Sequence, residues 1–421
     1  MADLLLVDRR LIARDVERSS TVRFIVWLIP WVALVALGVY AAGLCLYYGL
    51  NQTHMDNRFA FGMWIYLDLG MIAMGAGAFF TGFLVYILKQ EDLKPVLNSA
   101  VVVGLICYSG AMAVLMVDVG QPLRAWFTFW HPNTHSMLTE VTFCISCYLC
   151  VLILEYLPVL LRNRQLRRVP SFLIFEHQLH KLVPVLAGVG AFLSFFHQGS
   201  LGGLYGVLRG RPFAFRQGFA IWPSTFFLFI LSAMAVGPSF LMLVTAIAES
   251  VTGRKLVEPS VFRKLGLISG VLLGVYVAAK AVDTLVWLNV TSPAVGFSMG
   301  DFYAYKPFGP ALLFLEIVPL GLLPALLLTV RPVAKKRGWL LCGAALACSG
   351  VLLNRFLLTV QTLALPTLPF DDFLQYVPSW QEVATFAGVI AYGVIVYSLS
   401  YRYLPIFGKT KEAGKNNVSV G

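Results

Sequence analysis

The stretch VRFIVWLIPWVALVALGVYAAGLCLYYGL, residues 22–50, contains a single charged residue, Arg23. About 20 apolar residues in a helix are enough to cross the hydrocarbon core of a bilayer. In lipid the backbone must satisfy its own hydrogen bonds, which an α-helix does within one segment. The stretch therefore predicts a membrane-spanning helix, and it is too long for the core of a cleavable signal peptide.

Nine further apolar runs of sufficient length follow, at residues 61–88, 95–121, 135–161, 179–208, 219–250, 262–290, 308–330, 338–361 and 383–404. Over the 421-residue chain, 58% of the residues are hydrophobic and 13% are charged. An ordinary soluble domain has about a quarter charged residues. We therefore expect an all-α integral membrane protein with ten transmembrane helices and no soluble domain.

Positive charge is distributed unevenly between the two sides of these spans. Of the 32 Lys and Arg residues, 23 lie in loops or at the adjoining span ends on one side, six lie in loops on the other, and Lys181, Lys280 and Arg355 lie further inside spans. Cytoplasmic loops carry the excess of Lys and Arg, so both termini are predicted to be cytoplasmic. The net charge of +11 is then a topology signal, and it does not indicate a nucleic-acid partner.

Ionisable residues inside a membrane are costly, at about 2.5 to 3.5 kcal/mol each on insertion scales, and each one is a hypothesis for a functional site. The predicted spans contain Asp68, Asp118, Glu140, Glu155, His180, Lys181, His197, Lys280, Asp283, Glu316 and Arg355. With the predicted orientation, Asp68, Asp118, Glu140 and His197 lie in the outer half of the bilayer. Glu155, His180 and Lys181 lie in the inner half.

Two of these carboxylates share a helix. Glu140 and Glu155 are 15 residues apart, which is about 22 Å of rise and about 60° of rotation, so both point to similar sides of the fourth span. Bridged by hydroxyl groups and water, they could pass protons across the membrane. The alternative is that Glu155 lies at the cytoplasmic interface and pairs with a basic loop residue such as Arg162.

The seventh span offers a second group of charges. Lys280 and Asp283 are three residues apart and can neutralise each other on one helix face, with Glu316 and Arg355 as a second possible pair. These residues are candidates for a proton pathway or for structural ion pairs. They also allow a different class of protein, a secondary transporter with a charged site in mid-membrane.

The sequence argues against a metal centre in this chain. Haem b needs two axial ligands from facing helices, yet His180 and His197 lie on one helix, about 25 Å apart. There is no C-x-x-C-H motif for attached haem. The C-x-x-C-x-x-C run at Cys144, Cys147 and Cys150 lies within a span, and we interpret it as buried structural thiols.

The densest group of polar residues is at the outward ends of the third and fifth spans. Asp118, Glu140 and His197 are the candidate catalytic residues, because a quinone needs hydrogen-bond donors for two carbonyls and protons on reduction. Gln198, Ser200, Arg124, Trp126 and Trp222 are candidates for binding its headgroup. These residues predict a quinone site.

Four motifs carry a resemblance to a known family: DVGQPLRAW (118–126), SMLTEV (136–141), HQGSLG (197–202) and WPSTFFLFILSAMAVG (222–237). The chain resembles the NrfD/PsrC-type integral membrane subunits of bacterial oxidoreductases, which exchange electrons with quinones. Ten spans are similar to the HybB/ActC/DsrP-like branch. The resemblance implies a multi-pass protein of the bacterial inner membrane and menaquinone as the quinone.

The resemblance also implies two four-helix bundles between peripheral helices. The expected division is 1–60 for the amino terminus and first span, 61–210 for a first bundle with the quinone site, 211–361 for a second bundle, and 362–421 for the last span and tail. It implies a periplasmic iron–sulphur partner, with a cytochrome c or a molybdopterin-family-like subunit, and no haem or iron–sulphur cluster in this chain. A third alternative is a purely structural anchor for redox subunits.

Overall fold

Long apolar helices make up the computed structural model, which describes residues 7–8, 10–12, 18–211, 213–216, 218–219, 222–296, 309–364 and 374–408. We number the helices α1 to α10: Thr21–Tyr48, Met63–Tyr86, Lys94–Asp118, Met137–Leu161, Pro170–Gly206, Ser224–Thr252, Pro259–Val286, Gly309–Ile317, Arg337–Phe356 and Trp380–Tyr403. The prediction of an all-α integral membrane protein is confirmed. Among the described residues, nine helices are long and apolar enough to span a membrane.

Three helices of the second half contain or run into a wider π-helical turn. These turns are Trp287–Thr291 after α7, Val318–Leu322 after α8 and Leu357–Gln361 after α9. The chain continues as helix through Ser292–Ala294, Leu323–Thr329 and Thr362–Ala364. With its π turn and the segment Leu323–Thr329, α8 corresponds to the predicted eighth span.

The helices pack in two rings of four. In the first ring, α2 contacts α3 and α5, and α4 also contacts both of these helices; in the second, α6 contacts α7 and α9, and α8 with its continuation contacts the same two. The rings meet through α2, α5, α6 and α9. Helices α1 and α10 pack on each other, and α10 contacts α3 from outside the first ring.

Glycines allow the closest approaches between these helices. A Cβ atom on Gly77 of α2 would collide with the backbone of Gly237 on α6, so the two rings touch backbone to backbone there. Gly38 of α1 and Gly388 of α10 meet in the same way, with a Cβ on Gly38 only 2.8 Å from the Cα of Gly388. In lipid no hydrophobic driving force brings helices together, so close packing at small residues contributes more to their association.

Burial separates the central helices from the outer ones. In the most apolar window of α2, 81% of the residues are buried, against 11% in that of α1. The first ring encloses a core that includes Leu69, Ile72, Ile145 and Leu152, and it continues to Phe229 of α6. We call the end that holds the start of α2, α4 and α6 the outer end, following the charge pattern.

A short ribbon closes the connection between the rings. Strand β1, Gly218–Phe219, pairs antiparallel with β2, Trp222–Pro223, with Gly218 opposite Pro223. Helix α6 begins directly after it, at Ser224. The ribbon therefore fixes where Trp222 and the preceding loop sit against the outer ends of α5 and α6.

The amino-terminal segment is attached to the inner end of the protein. Asp8 is buried and accepts hydrogen bonds from Nε and Nη2 of Arg402 at 2.8 and 2.6 Å, from Tyr403 at 2.6 Å and from Thr21 at 2.6 Å. The hydrogen bonds from Arg402 lower the pKa of the Asp8 carboxyl far below its usual value. This segment is held to α10 by a charged contact.

Candidate functional site

Glu140 and Ser200 join α4 to α5 at the outer end of the first ring. Glu140 lies in the first turn of α4, where the helix dipole favours a negative charge. The hydroxyl of Ser200 lies 2.7 Å from Oε2 of Glu140 and donates to it, and the carbonyl of Phe196 is a second acceptor at 2.9 Å. Glu140 is half-buried, so its carboxylate lies at the boundary between the ring and the outer surface.

His197 lies one turn further into the ring and has an unusual environment. It is fully buried, and neither ring nitrogen has a hydrogen-bond partner among the described residues. The imidazole lies beside the main chain of Val141, and its ring centroid is 6.0 Å from that of Tyr108. A buried imidazole normally satisfies at least one nitrogen, and the polar neighbour here is the backbone of Val141, which leaves at least one nitrogen for water or a ligand.

Two tyrosines that the sequence did not single out lie on this side of the ring, Tyr108 next to the histidine and Tyr148 next to Tyr108. The hydroxyl of Tyr108 on α3 lies 3.3 Å from that of Ser194, and it also lies next to the amide of Gln198. The rings of Tyr108 and Tyr148 meet edge to face with centroids 4.3 Å apart. Both tyrosines lie inside apolar spans. A hydroxyl group in such a span was the feature of the sequence that could have identified them.

Asp68 and Asp118 form a second carboxylate group in the same ring. Asp68 on α2 is buried, Asp118 ends α3, and Oδ1 of each lacks a hydrogen-bond partner among the described residues. The two carboxyls interact electrostatically with each other, and Tyr205 of α5 lies close to both. Tyr108 also interacts with Asp68, which connects this pair to the histidine.

Asp118 also interacts with a residue that was not predicted, Glu382 of α10. Oε2 of Glu382 accepts from the backbone amides of His54 at 3.1 Å and Ser379 at 2.8 Å, and Oε1 accepts from Tyr376. The capping box formed by Ser379 and Glu382 was readable in the sequence as S-x-x-E. Its second function, holding the loop before α2, depends on tertiary structure.

The predicted aromatic residues lie at the rim. Trp222 is half-buried and stacks on Phe226 at 4.9 Å, and Phe196 meets it edge to face at 6.1 Å. Arg124 and Trp126 are exposed on the connection between α3 and α4, where Trp126 stacks on Phe127. The structure therefore brings Trp222 to the outer end of α5, while Arg124 and Trp126 remain on the surface.

The charges of the second ring pair differently from the prediction. Asp283 is bonded by Nε of Arg216 at 3.0 and 3.1 Å and by Ser224, and Lys280 lies 3.5 Å from Oε1 of Glu316. Lys280 interacts electrostatically with Asp283, as the spacing predicts, but the direct bond to Asp283 comes from Arg216, which enters from the loop after α5. Spacing along one helix cannot reveal such a partner.

Arg355 completes this polar group, and among the described residues it forms no direct ion pair with a carboxylate. It donates to Asn354 Oδ1 at 2.6 Å and to Ser232 at 2.9 Å, and its guanidinium lies 3.5 Å from the centre of the Phe229 ring. Asn354 in turn donates to Oε1 of Glu316 at 2.8 Å. The predicted pair of Arg355 with Glu316 is therefore indirect, through Asn354. A narrow cavity lined by Arg216, Lys280, Glu316 and Asn354 lies beside them.

The candidate residues predicted for the inner half of the bilayer do not form one cluster. Glu155 is buried with Oε1 unpartnered among the described residues, and it interacts with Tyr148 and Tyr86. Arg162 pairs with Glu176 at 3.2 Å, so the alternative pairing of Arg162 with Glu155 is wrong. His180 and Lys181 are exposed on α5 and do not join Glu155.

The prediction that all three cysteines of the C-x-x-C-x-x-C run are buried is wrong for two of them. Cys144 is buried as expected, but Cys147 and Cys150 are exposed on α4. Each step of three residues rotates the position by about −60° around the helix, which carries the later two cysteines off the buried face.

The chain matches the family model described as "Polysulphide reductase, NrfD" over residues 51–366. It belongs to this family, and the family resemblance of the motifs is confirmed. The match runs from just after α1 to the end of the second ring. It leaves α1 and α10 outside, in agreement with their peripheral packing.

Curated relatives cover nearly the whole chain. It is 47% identical over 410 residues to the "Menaquinone reductase, integral membrane subunit" of Nitratidesulfovibrio vulgaris strain Hildenborough, covering 97% of this chain and 98% of the relative. It is 25% identical to the "Probable Ni/Fe-hydrogenase 2 b-type cytochrome subunit" of Escherichia coli K12, over 88% and 90% of the two chains. It is 21% identical to a selenate reductase subunit of Mesobacillus selenatarsenatis, over 90% and 93%. The chain is a multi-pass protein of the bacterial inner membrane.

Proposed function

We propose that this chain is the quinone-binding membrane subunit of a multi-subunit oxidoreductase, with menaquinone as its quinone. The substrate is supported by the near full-length similarity to a protein named as a menaquinone reductase subunit. The position of the site is supported by the chemistry at the outer end of the first ring. We propose that this end faces the periplasm, in agreement with the Lys and Arg count.

The observation that carries the site is the environment of His197. Its imidazole makes no side-chain hydrogen bond to any described residue, and it belongs to the same ring of helices as the Glu140–Ser200 hydrogen bond and the Asp68–Asp118 pair. Reduction of a quinone to a quinol takes up two electrons and two protons. In this proposal a partner subunit supplies the electrons, and the residues of this chain bind the headgroup and deliver the protons.

Each residue then has a defined part. His197 and Gln198 donate hydrogen bonds to the quinone carbonyls, and Ser200, which donates its one hydroxyl proton to Glu140, lies beside the headgroup and positions that carboxylate. Asp118 and Asp68 supply protons from the second carboxylate group. Trp222 forms an apolar wall, and the exposed Arg124 and Trp126 lie where a partner subunit would cover the rim.

A proton route through the first ring follows from the same proposal. Tyr108, Tyr148 and Glu155 continue inward from His197, and Glu155 lies seven residues beyond Tyr148 on the same side of α4. His180 and Lys181 are exposed on α5 and do not join Glu155, so the proposed route does not include them. Lys280, Asp283, Glu316 and Arg355 are the candidates for a separate route in the second ring.

We further propose that the electrons come from a periplasmic iron–sulphur subunit, together with a cytochrome c or a molybdopterin-family-like subunit. In this proposal the chain holds no redox metal itself. We propose a division of the chain into residues 1–60, 61–210, 211–361 and 362–421, with the quinone site in the second of these parts. The electrons then reach the quinone from the periplasmic side.

The test is to replace His197 by Phe in the assembled complex and to measure quinone-linked turnover and bound quinone. Loss of a positioned proton donor typically costs 10²- to 10⁴-fold in rate, and bound quinone should fall with it. His177→Gln, on the exposed inner part of the same helix, is the control.

Full turnover in an assembled His197→Phe complex would exclude this site. Ion or solute uptake into vesicles by the isolated chain, without bound quinone, would support the transporter alternative instead. The quinone content and the set of co-purifying subunits are therefore measured on the same preparation.

A further inference from the structure

Helix α5 extends well beyond its neighbour at the inner end. The Glu140–Ser200 hydrogen bond sets the register of α4 and α5. Twenty-one residues lead from Glu140 to Leu161, where α4 ends, and the same distance back from Ser200 leads to Leu179. Since α5 begins at Pro170, nine residues, or about 13 Å, protrude.

The protruding residues, 170–178, include four consecutive exposed apolar side chains. Phe172, Leu173, Ile174 and Phe175 are between 41% and 64% exposed, and we call them the apolar collar. Four consecutive residues point around nearly the whole circumference of a helix. A helix that binds a groove in a protein presents one apolar stripe, whereas this collar matches a surrounding lipid phase.

Positive charge brackets the collar. Arg162 and Arg167 are paired with Glu176 at 3.2 and 3.8 Å, but Arg164, Arg168 and Lys181 have no carboxylate partner in the part of the chain that the structure describes. Arg164 and Arg168 precede the collar and Lys181 follows it. The full length of α5 is about 55 Å, more than the roughly 40–45 Å of a bilayer with its headgroups, so its inner end is long enough to reach the headgroup region and beyond.

The amino-terminal segment adds to this surface. Gln165 donates to the carbonyl of Arg10 at 2.8 Å, and Asn163 donates to that of Leu11 at 3.3 Å. Arg10 is exposed beside the loop that carries Arg164 and Arg168. The segment held by Asp8 thus brings a further cation to the same place.

We propose that the inner end of α5, with Arg10, Arg164, Arg168 and Lys181 around the apolar collar, is a binding site for anionic phospholipid of the inner leaflet. The acyl chains contact the collar and the phosphate contacts the arginines. Basic pockets at this side of membrane helices bind anionic headgroups, and each Lys or Arg near the surface contributes about 1 kcal/mol. The site is independent of the proposed quinone site at the opposite end of the ring.

The test uses the detergent-purified complex with added cardiolipin, phosphatidylglycerol or phosphatidylcholine. Retained lipid is counted by native mass spectrometry, and the unfolding temperature is recorded at each lipid concentration. The variant R164Q/R168Q/K181Q should bind both anionic lipids at least about tenfold more weakly. The control R331Q/K335Q/K336Q removes three exposed cations from another inner loop and should bind as the wild type does.

A second variant, I174S/F175S, tests the collar without changing the charge. It should lower retention of cardiolipin while its assembly and quinone-linked turnover in detergent remain unchanged. Equal binding of phosphatidylcholine and anionic lipids by the wild type would overturn the proposal. So would equal losses in the two charge variants, because net charge alone would then explain the binding. Loss of a co-purifying soluble protein, with lipid unchanged, would assign the surface to a protein partner.

Discussion

The hydroxyl of Ser200 on α5 donates to Oε2 of Glu140 on α4 at 2.7 Å, across the outer end of the first ring. This contact joins two residues that lie 60 positions apart in the chain. It joins the carboxylate of Glu140 to the part of α5 that carries the buried His197, one turn away from Ser200. The geometry of the proposed quinone site therefore depends on this bond.

Replacing Ser200 by Ala should reduce quinone-linked turnover about 10- to 100-fold, because a hydrogen bond to a charged group contributes about 1.5–3 kcal/mol. The complex should still assemble, since the methyl group fits the same space. Turnover is measured on the purified complex at saturating electron donor. Ser146→Ala is the control, because among the described residues Ser146 bonds to the carbonyl of Thr142 on its own helix and to no other helix. Equal rates for the two variants would show that the bond is not needed.

The Arg216–Asp283 contact should dominate the stability of the second ring. Arg216→Gln leaves the buried Asp283 without its main partner, which costs about 3–5 kcal/mol in a buried pair. The double variant R216Q/D283N should recover part of this loss. Unfolding in detergent measures both. Glu91→Gln breaks the exposed pair with Lys94 and should cost less than about 1 kcal/mol, and a similar loss in both would contradict the prediction.

The contact of Gly77 with Gly237 should not tolerate a methyl group. Gly77→Ala should lower the unfolding temperature, because the added Cβ collides with the backbone of α6 and separates the rings. Gly188→Ala is the matched control, since nothing lies within 4 Å of its added Cβ. The control should be neutral or slightly stabilising, as Ala is the better helix former. A harmless Gly77→Ala would show that the rings can shift apart.

The docking of the amino-terminal segment should depend on pH. The pKa of Asp8 is lower in the folded protein than its usual value near 3.8, because Arg402 bonds the carboxylate. Its contribution is therefore complete above the unfolded pKa and is lost as the pH falls toward the folded one. Hydrogen exchange of residues 7–12, corrected for intrinsic rates, should rise below about pH 4. Asp8→Asn should show fast exchange at every pH, and the wild-type pattern in that variant would refute this role.

The sequence predicts the spans well because their length and apolarity are local properties. The start of α5 is the main difference, at Pro170 instead of residue 179. Glu176 and His177 lie just before the predicted start. In the structure Arg162 pairs with Glu176, and the helix includes both residues. A charge whose partner lies in the preceding loop does not stop a helix.

Partners across helices were harder to predict. Lys280 and Asp283 share a helix, but their carboxylate and guanidinium partners, Glu316 and Arg216, come from α8 and from a loop. The side of α4 shared by Glu140 and Glu155 follows from helix periodicity alone. That Tyr108 and Tyr148 lie between them depends on how α3 packs against α4, which no single span encodes.

The three π turns have a consequence for the ancestry of the two rings. Each such turn holds one residue more than the α-helical turn it replaces, as a single-residue insertion into a helix would produce. Trp287–Thr291, Val318–Leu322 and Leu357–Gln361 all belong to the second ring. If the rings arose by duplication, an alignment of one with the other needs a one-residue gap at each of these positions. An ungapped alignment of the two halves would be shifted by one residue after each turn, and their sequence similarity would go undetected beyond it.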